Sequence, residues 1–260
     1  MESVDKFVGN NFIKCKNLKK VLLNADVGEG AGFDDQIMPY VSWCNVACGV
    51  HAGNDEEIKK TIDLAIQHNV KIGAHPSYPD RENFGRVSMK ISQDDLINTL
   101  TDQILKVKKI TEEAGTILHH VKPHGALYND AVKNKAVAKA VVDSIKNIDK
   151  SLLIISPRDS NISYFYKDNF KIKYEVFADR NYNDDLTLVS RSEVGAVIEN
   201  PEKVFHHVWK MISEEKVKTI GGEEVDVFFD TICVHGDNPK SVEILKYIYK
   251  ELMAKNYVLK

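Results

Sequence analysis

The sequence has few cysteines for its length. Its 260 residues include only Cys15, Cys44, Cys48 and Cys233. Four irregularly spaced cysteines are too few for a disulfide framework in a chain of this size, so we expect them to be reduced. Cys44 and Cys48 lie in the apolar segment WCNVACGV, without a second cysteine pair to complete a metal site. We therefore interpret these two as small buried side chains.

Long apolar runs are also missing. No stretch approaches the roughly 18 residues that a membrane span needs. The opening segment MESVDKFVGNNFIKCKNLKK has no apolar centre like that of a signal peptide. These two absences favour a cytoplasmic protein without a membrane partner.

Charge of one sign is not concentrated anywhere in the chain. The formal net charge is -3, and the 35 basic residues are scattered through predicted helices instead of forming a stripe that could neutralise phosphates. Gly28, Gly30 and Gly32 come close together, but their spacing matches neither the dinucleotide nor the P-loop fingerprint. Nucleic acid is therefore not an expected partner, and no nucleotide-binding motif is present.

Linkers, repeats and low-complexity blocks are absent as well. The chain is 43% hydrophobic and 28% charged, which is typical of an ordinary globular protein. The first clear strand signal comes at Val21. We therefore predict an N-terminal extension over residues 1–20 and one catalytic domain over residues 21–260.

Short apolar runs alternate with longer amphipathic segments over nearly the whole chain. This order predicts an α/β fold with a mostly parallel sheet, and the runs predict strands buried on both faces. Asn54, Ser92, Asn200 and Asn238 are predicted helix caps, the last two directly before a proline at the first helical position. The predicted strands are Val21–Asn24, Trp43–Cys48, Lys71–Ala74, Ile117–Val121, Leu152–Ile155, Tyr174–Phe177 and Val227–Val234.

Ionisable side chains recur directly after the predicted strands. The carboxyl ends of parallel strands converge on one face, so these side chains are expected to line one cavity. A single histidine in such a position is more often structural, but the placement occurs four times here. The candidates are Asp26, Glu29, His51, His75, Lys122, His124, Glu175, Asp179, Arg180, His235 and Asp237.

Several candidates keep more than one interpretation. Asp26 and Glu29 can act as a base and its partner, hold a metal or a lysine, or cap a turn. Lys122 can stabilise an anion or be an exposed loop lysine. Asp179 and Arg180 can equally form a structural ion pair. His119, His68, His206 and His207 are interpreted as structural or solvated.

Seven segments follow one another in the order LNADVGEG, MPYVSWCNVACGVHAG, IGAHPSYPD, FGR, HVKPHGALYN, EVFADRNY and TICVHGDNP. Together they resemble the LamB/YcsF family, whose characterised members are A subunits of prokaryotic ATP-dependent 5-oxoprolinase. The resemblance runs from about Leu22 to the C-terminus. The chain departs from the family pattern in loops, at Asn83 and Val87 and at Leu186 and Ser190.

The resemblance implies a variant (β/α) barrel of the glycoside hydrolase/deacetylase type. It implies conversion of 5-oxo-L-proline to L-glutamate coupled to ATP hydrolysis, with ATP and Mg²⁺ as co-substrate and with subunits B and C as partners. The expected catalytic residues are Asp26, Glu29, His51, His75, Lys122, His124 and His235, and the expected substrate-binding residues are Asn24, Glu175, Asp179, Arg180 and Asp237.

Two other functions remain open at this point. One acid and two or three histidines at strand ends could hold a divalent metal in a stand-alone deacetylase or amidohydrolase, although paired helical H-x-x-x-H ligands are missing. A bound metal is therefore left undecided. The chain could also be a non-catalytic scaffolding component, but scaffolding does not explain four histidines at strand ends.

Overall fold

Seven parallel strands close into a barrel, with neighbours in the order Thr231–Val234, Leu22–Val27, Trp43–Ala47, Lys71–His75, His120–Val121, Leu153–Ser156 and Ile172–Phe177. The computed structural model describes residues 19–166 and 171–259. The strands are β1 (Lys19–Lys20), β2 (Leu22–Val27), β3 (Trp43–Ala47), β4 (Lys71–His75), β5 (His120–Val121), β6 (Leu153–Ser156), β7 (Ile172–Phe177), β8 (Lys216–Lys218), β9 (Glu224–Asp226), β10 (Thr231–Val234) and β11 (Tyr257–Val258). The predicted α/β fold with a variant (β/α) barrel is confirmed.

Helices surround the barrel and connect successive strands. They are α1 (Asp34–Ile37), α2 (Asp55–Gln67), α3 (Gln93–Glu113), α4 (Gly125–Lys133), α5 (Lys135–Ile148), α6 (Asn161–Tyr166), α7 (Pro201–Glu214) and α8 (Ser241–Ala254), with a 3₁₀ turn at Met38–Tyr40. Among the residues the structure describes, no helix is both long and apolar enough to cross a membrane.

Each predicted strand overlaps a barrel strand, but two of them are shorter than predicted by three residues or more. The run Ile117–Val121 contributes only β5, since Ile117 is 73% exposed and lies before the sheet. The run Val227–Val234 contributes only β10. The amide of Val227 donates to the carbonyl of Glu215 at 2.7 Å, so that part of the run is bound outside the barrel.

Three of the four predicted helix caps are confirmed. Asn54 Oδ1 accepts from the amides of Glu56 and Glu57 at 2.9 and 3.0 Å, and Ser92 Oγ accepts from that of Asp95 at 3.1 Å. Asn200 Oδ1 accepts from the amide of Lys203 at 3.0 Å. These bonds satisfy amide groups that the first helical turn leaves unpaired.

The predicted helix start after Asn238 is wrong, because α8 begins at Ser241. The amide of Lys240 donates to Asn238 Oδ1 at 2.9 Å, and the amide of Ser241 donates to the Asn238 carbonyl at 2.8 Å. Asn238 therefore closes a turn that includes Pro239, and the helix starts after it.

The sequence patterns did not indicate the small accessory sheets. The strand β1 pairs with β11, and β8 pairs with β9 as an antiparallel hairpin. Most of the predicted extension, residues 1–18 with Cys15, lies outside the described residues. Cys44, Cys48 and Cys233 are buried free thiols, and burial raises the pKa of Cys48 to about 12.

The barrel interior contains a polar layer that depends on Gly73 in β4. Asn45 Nδ2 donates to Asn24 Oδ1 at 2.8 Å, and His120 Nε2 lies 2.8 Å from Asn45 Oδ1. A Cβ atom on Gly73 would lie 2.2 Å from His120 Nε2. Gly73 therefore leaves the space that the His120 ring occupies.

We predict that Gly73→Ala lowers the free energy of unfolding by at least the roughly 1–3 kcal/mol typical of overpacking, as measured by urea denaturation. The cost should be much smaller in a His120→Ala background, where the ring that meets the new Cβ is gone. Equal costs in the two backgrounds would contradict this explanation.

Candidate active site

The carboxyl ends of the barrel strands surround a cavity of about 270 Å³. Eight of the twelve predicted site residues line it, although they are far apart in the sequence. They are Asp26, Glu29, His75, Lys122, His124, Arg180, His235 and Asp237. The closed parallel barrel explains this convergence, because every strand ends on the same face.

Lys122 lies at the bottom of this cavity and is 2% exposed. Its ammonium is 3.0 Å from Asp26 Oδ1, 3.1 Å from Glu175 Oε2 and 3.0 Å from Cys233 Sγ. Burial by itself lowers a lysine pKa, but the opposing effect of Asp26, Cys233 and Glu175 raises the Lys122 pKa well above its ordinary value. Lys122 is therefore a fixed buried cation and not an exposed loop lysine.

Asp26, at the end of β2, is the principal partner of this cation. Its Oδ1 also accepts from Asn45 Nδ2 at 2.7 Å, and its Oδ2 lies 3.5 Å from His75 Nε2. Burial tends to raise the pKa of Asp26, but His75 and Lys122 hold it well below its usual range. Asp26 is therefore ionised, with one oxygen bound to Lys122 and Asn45.

Glu29 lies among three histidines. Its Oε1 is 3.3 Å from His51 Nε2, 3.4 Å from His124 Nδ1 and 3.9 Å from His75 Nε2. Burial, with a contribution from Asp26, raises the pKa of Glu29 to about 8. The sequence-based alternative that Glu29 caps a turn does not account for these contacts.

The orientations of His75 and His124 are fixed by backbone carbonyls. His75 Nδ1 donates to the Lys122 carbonyl at 2.7 Å, and His124 Nε2 donates to the Phe84 carbonyl at 2.8 Å. The remaining nitrogens, His75 Nε2 and His124 Nδ1, are 3.0 Å apart. The His51 ring stacks on that of His124 with centroids 3.9 Å apart, and burial lowers the pKa of His51 to about 3.

His235 and Asp179 form a second acid–histidine pair at the cavity. Asp179 Oδ1 is 2.9 Å from His235 Nδ1, and the His235 ring stacks on Phe177 with centroids 5.2 Å apart. Burial tends to raise the pKa of Asp179, but His235 holds it below its usual value. A carboxylate at Nδ1 fixes the ring orientation and leaves Nε2 as the basic nitrogen.

Arg180 and Asp237 have different contacts from those pairs. Arg180 donates from Nη2 to the Val189 carbonyl at 2.5 Å and from Nε to the Ala196 carbonyl at 3.3 Å. Asp237 forms an ion pair with Arg86. The Arg180 contacts favour a role in shaping the loop rather than in binding a substrate carboxylate.

The four remaining predicted residues lie behind the cavity wall and hold its lining side chains. Glu175 contacts Lys122, and Asn24 Nδ2 donates to Glu175 Oε2 at 3.2 Å. His51 packs on His124 and contacts Glu29, and Asp179 positions His235. These four are supporting residues of the site.

Several site residues were not selected from the sequence. Asn45 is a single amide within the apolar segment WCNVACGV, and that exception to the apolar run is the signal that could have identified it. His120 was not considered beside its neighbour His119, although its Nε2 contacts Asn45. Arg86, which pairs with Asp237, and Arg191 also line the cavity, and both lie in loops that do not directly follow a predicted strand.

Comparison with known proteins adds a consistent set of similarities. The sequence model of the LamB/YcsF family matches residues 21–260. The chain is 44% identical over 239 residues to the A subunit of 5-oxoprolinase from Pyrococcus horikoshii, covering 90% of this chain and 94% of that protein. It is 42% identical over 240 residues to the A subunit of 5-oxoprolinase from Bacillus cereus, covering 90% and 95%.

A solved structure has the same fold over nearly its full length. The lactam utilization protein from Thermus thermophilus superposes with a TM-score of 0.86 at 34% identity. The match covers 93% of this chain and 99% of that protein.

The raised pKa of Glu29 predicts a pH dependence of stability. The folded chain keeps the Glu29 proton up to a pKa of about 8, whereas the ordinary value is 4.5, so stability falls as pH rises between these values. Unfolded histidines are half-titrated near about pH 6.5, but wild type and Glu29→Gln share them, so the difference between the two proteins reports Glu29. In chelator-treated protein, the Tm of Glu29→Gln relative to wild type should therefore increase from about pH 6.5 towards pH 8. Parallel Tm curves for the two proteins would contradict the assignment.

Proposed function

The chain belongs to the LamB/YcsF family, and we propose that it is the A subunit of a 5-oxoprolinase, which opens 5-oxo-L-proline to L-glutamate with hydrolysis of ATP. The two relatives described above are both named as the A component of this enzyme. The observation that carries the proposal onto this chain is the cavity itself, in which an ionised acid, a buried cation and an acid-backed histidine face one another.

The ring of 5-oxoproline is a stable amide, so its opening needs activation. Transfer of the γ-phosphoryl group of ATP to the lactam oxygen makes the ring carbon electrophilic. Water then adds to that carbon, and the carbon–nitrogen bond breaks as the nitrogen takes a proton. The resulting acyl phosphate reacts with a second water to give glutamate and phosphate.

Asp26 is the proposed base for the attacking water. Its Oδ1 is bound to Lys122 and Asn45, and its Oδ2 remains beside His75 at the cavity wall. A carboxylate held within hydrogen-bond reach of a water can take its proton as the new carbon–oxygen bond forms. Because the pair with Lys122 keeps Asp26 ionised, the base is ready without a prior proton transfer.

Lys122 and His235 have complementary roles in the proposed reaction. The fixed ammonium of Lys122 stabilises the negative charge of the phosphoryl group that the lactam oxygen receives, at no cost in reorganisation. His235, whose Nε2 is left basic by Asp179, takes the ring N–H proton as the lactam oxygen is phosphorylated and returns it to the nitrogen as the ring opens. Arg86 and Arg191 at the cavity wall supply charge for the substrate carboxylate or phosphate.

ATP with Mg²⁺ is proposed to bind together with the partner subunits B and C. The letter in the name of the relatives implies further components in their assemblies. A cavity of about 270 Å³ lies at the small end of the roughly 300–1,000 Å³ range of ligand pockets, which suits a five-membered lactam better than a lactam together with a nucleotide.

A second candidate function is a metal-dependent amidohydrolase that works alone. The observation that favours it is the cluster of Glu29, His75 and His124, whose ligand atoms lie within 4.8 Å of one another. This alternative predicts hydrolysis without ATP and without partner subunits.

We predict that the purified chain alone does not release glutamate from 5-oxo-L-proline with ATP and Mg²⁺, and that adding subunits B and C gives turnover. Glutamate release measured for each combination of the three components tests this. Turnover by the chain alone, independent of ATP and abolished by a chelator, would support the amidohydrolase instead.

We also predict that Asp26→Asn lowers kcat of the reconstituted complex by at least about 100-fold, as expected for loss of a catalytic base. The matched control is Asp230→Asn, which removes an acid at the amino end of β10, on the opposite side of the barrel. Co-elution of the variants with the partner subunits separates a catalytic role from scaffolding. Wild-type turnover by Asp26→Asn would overturn the assignment.

A further inference from the structure

The contact between His75 and His124 is not a hydrogen bond between neutral rings. A carbonyl oxygen can only accept a hydrogen bond, so His75 Nδ1 and His124 Nε2, at 2.7 and 2.8 Å from carbonyls, must both carry protons. In the neutral rings, the other nitrogens then both carry lone pairs. These two nitrogens face each other at 3.0 Å, an arrangement that requires a cation next to them.

Glu29 completes a three-atom group around the same point. Its Oε1 lies 3.4 Å from His124 Nδ1 and 3.9 Å from His75 Nε2. A tetrahedral metal with bonds of about 2.0–2.1 Å to nitrogen and oxygen holds its ligand atoms about 3.3–3.4 Å apart. The three observed separations bracket this value.

We propose that Glu29, His75 and His124 bind one divalent transition-metal cation of the zinc class. Two imidazole nitrogens and one carboxylate oxygen form a ligand set that suits Zn²⁺ and its first-row neighbours and not Ca²⁺ or Mg²⁺, which prefer all-oxygen sites. All three ligand residues line the cavity, so the fourth position is open to water or substrate.

The surroundings of the three ligands are those of a metal site. Each histidine is held by a backbone carbonyl on its second nitrogen, which fixes its tautomer and directs its lone pair.

The cavity floor also has an excess of carboxylates. Asp26 and Glu175 share the one ammonium of Lys122, so a metal that displaces the Glu29 proton would supply the positive charge for this third carboxylate.

This site goes beyond the proposed function and does not depend on it. A metal bound here would polarise a water or a lactam oxygen in either of the two candidate reactions. Metal binding by the isolated chain is therefore measured without partner subunits, ATP or turnover, so that failure of the 5-oxoprolinase proposal would leave the result unaffected.

The test is titration of chelator-stripped, full-length protein with Zn²⁺ in a calorimeter and with Co²⁺ in a spectrophotometer. We expect one equivalent of each metal to bind, and the visible absorption of Co²⁺ to show a four- or five-coordinate site with nitrogen ligands. Absence of stoichiometric binding to the folded wild-type protein would overturn the proposal, whatever any variant does. In that case a shared proton is the cation between the two rings.

Variants locate the bound metal. Glu29→Gln and His124→Asn should each weaken binding by at least about 100-fold, since each removes a ligand and outer-shell changes alone cost about 10–100-fold. His235→Asn is the matched control, because His235 lines the same cavity outside the group. It should bind as wild type does. Equal binding by wild type, Glu29→Gln and His124→Asn would place the metal elsewhere and contradict the proposal.

Discussion

The ammonium of Lys122 is the buried cation between the carboxylates of Asp26 and Glu175. Taking these charges out of water is costly, and removing one partner of such a group typically costs about 3–5 kcal/mol because an uncompensated charge remains. Asp26 lies on β2 and Glu175 on β7, while Lys122 follows β5. The same three charges therefore connect distant parts of the barrel and form the floor of the cavity.

The rest of the site is arranged around this fixed charge. The Lys122 carbonyl orients His75, so the residue that supplies the cation also positions one of the two facing imidazoles. Close packing at the strand ends leaves little freedom to these groups. A Cβ on Gly236, for example, would lie 2.0 Å from the Asp26 carbonyl oxygen. The result is a preorganised floor, with the more adaptable Arg86 and Asp237 at its edge. Such an arrangement suits a reaction in which charge develops at one defined point.

Much of the fold and the cavity could be predicted because both follow from simple periodicities. Buried strands have apolar sequences, and the side chains that follow them converge because the strands of a parallel barrel all end on the same face. The partners within the cavity could not be predicted in the same way. Asp179 and His235 are 56 residues apart, and only the closed barrel brings them together.

The errors have a common physical origin. An apolar run indicates burial but not which sheet its backbone joins, so the segment before β10 was assigned to the barrel. Asn45 and His120 lie inside strands and not after them, so the strand-end pattern does not select them, although they form the polar layer beneath Asp26. The prediction that Asn238 caps a helix was wrong because an asparagine side chain can stabilise a turn before a helix as well as cap the first turn of the helix.

The most direct test of the central role of Lys122 is the unfolding free energy of Lys122→Met, measured in urea with and without Asp26→Asn and Glu175→Gln. If the ammonium balances the two carboxylates, Lys122→Met is severely destabilising, and each added substitution restores stability while turnover stays lost. If Asp26→Asn and Glu175→Gln instead lower the stability of Lys122→Met by as much as they lower that of wild type, the buried charges do not depend on one another and the account is wrong.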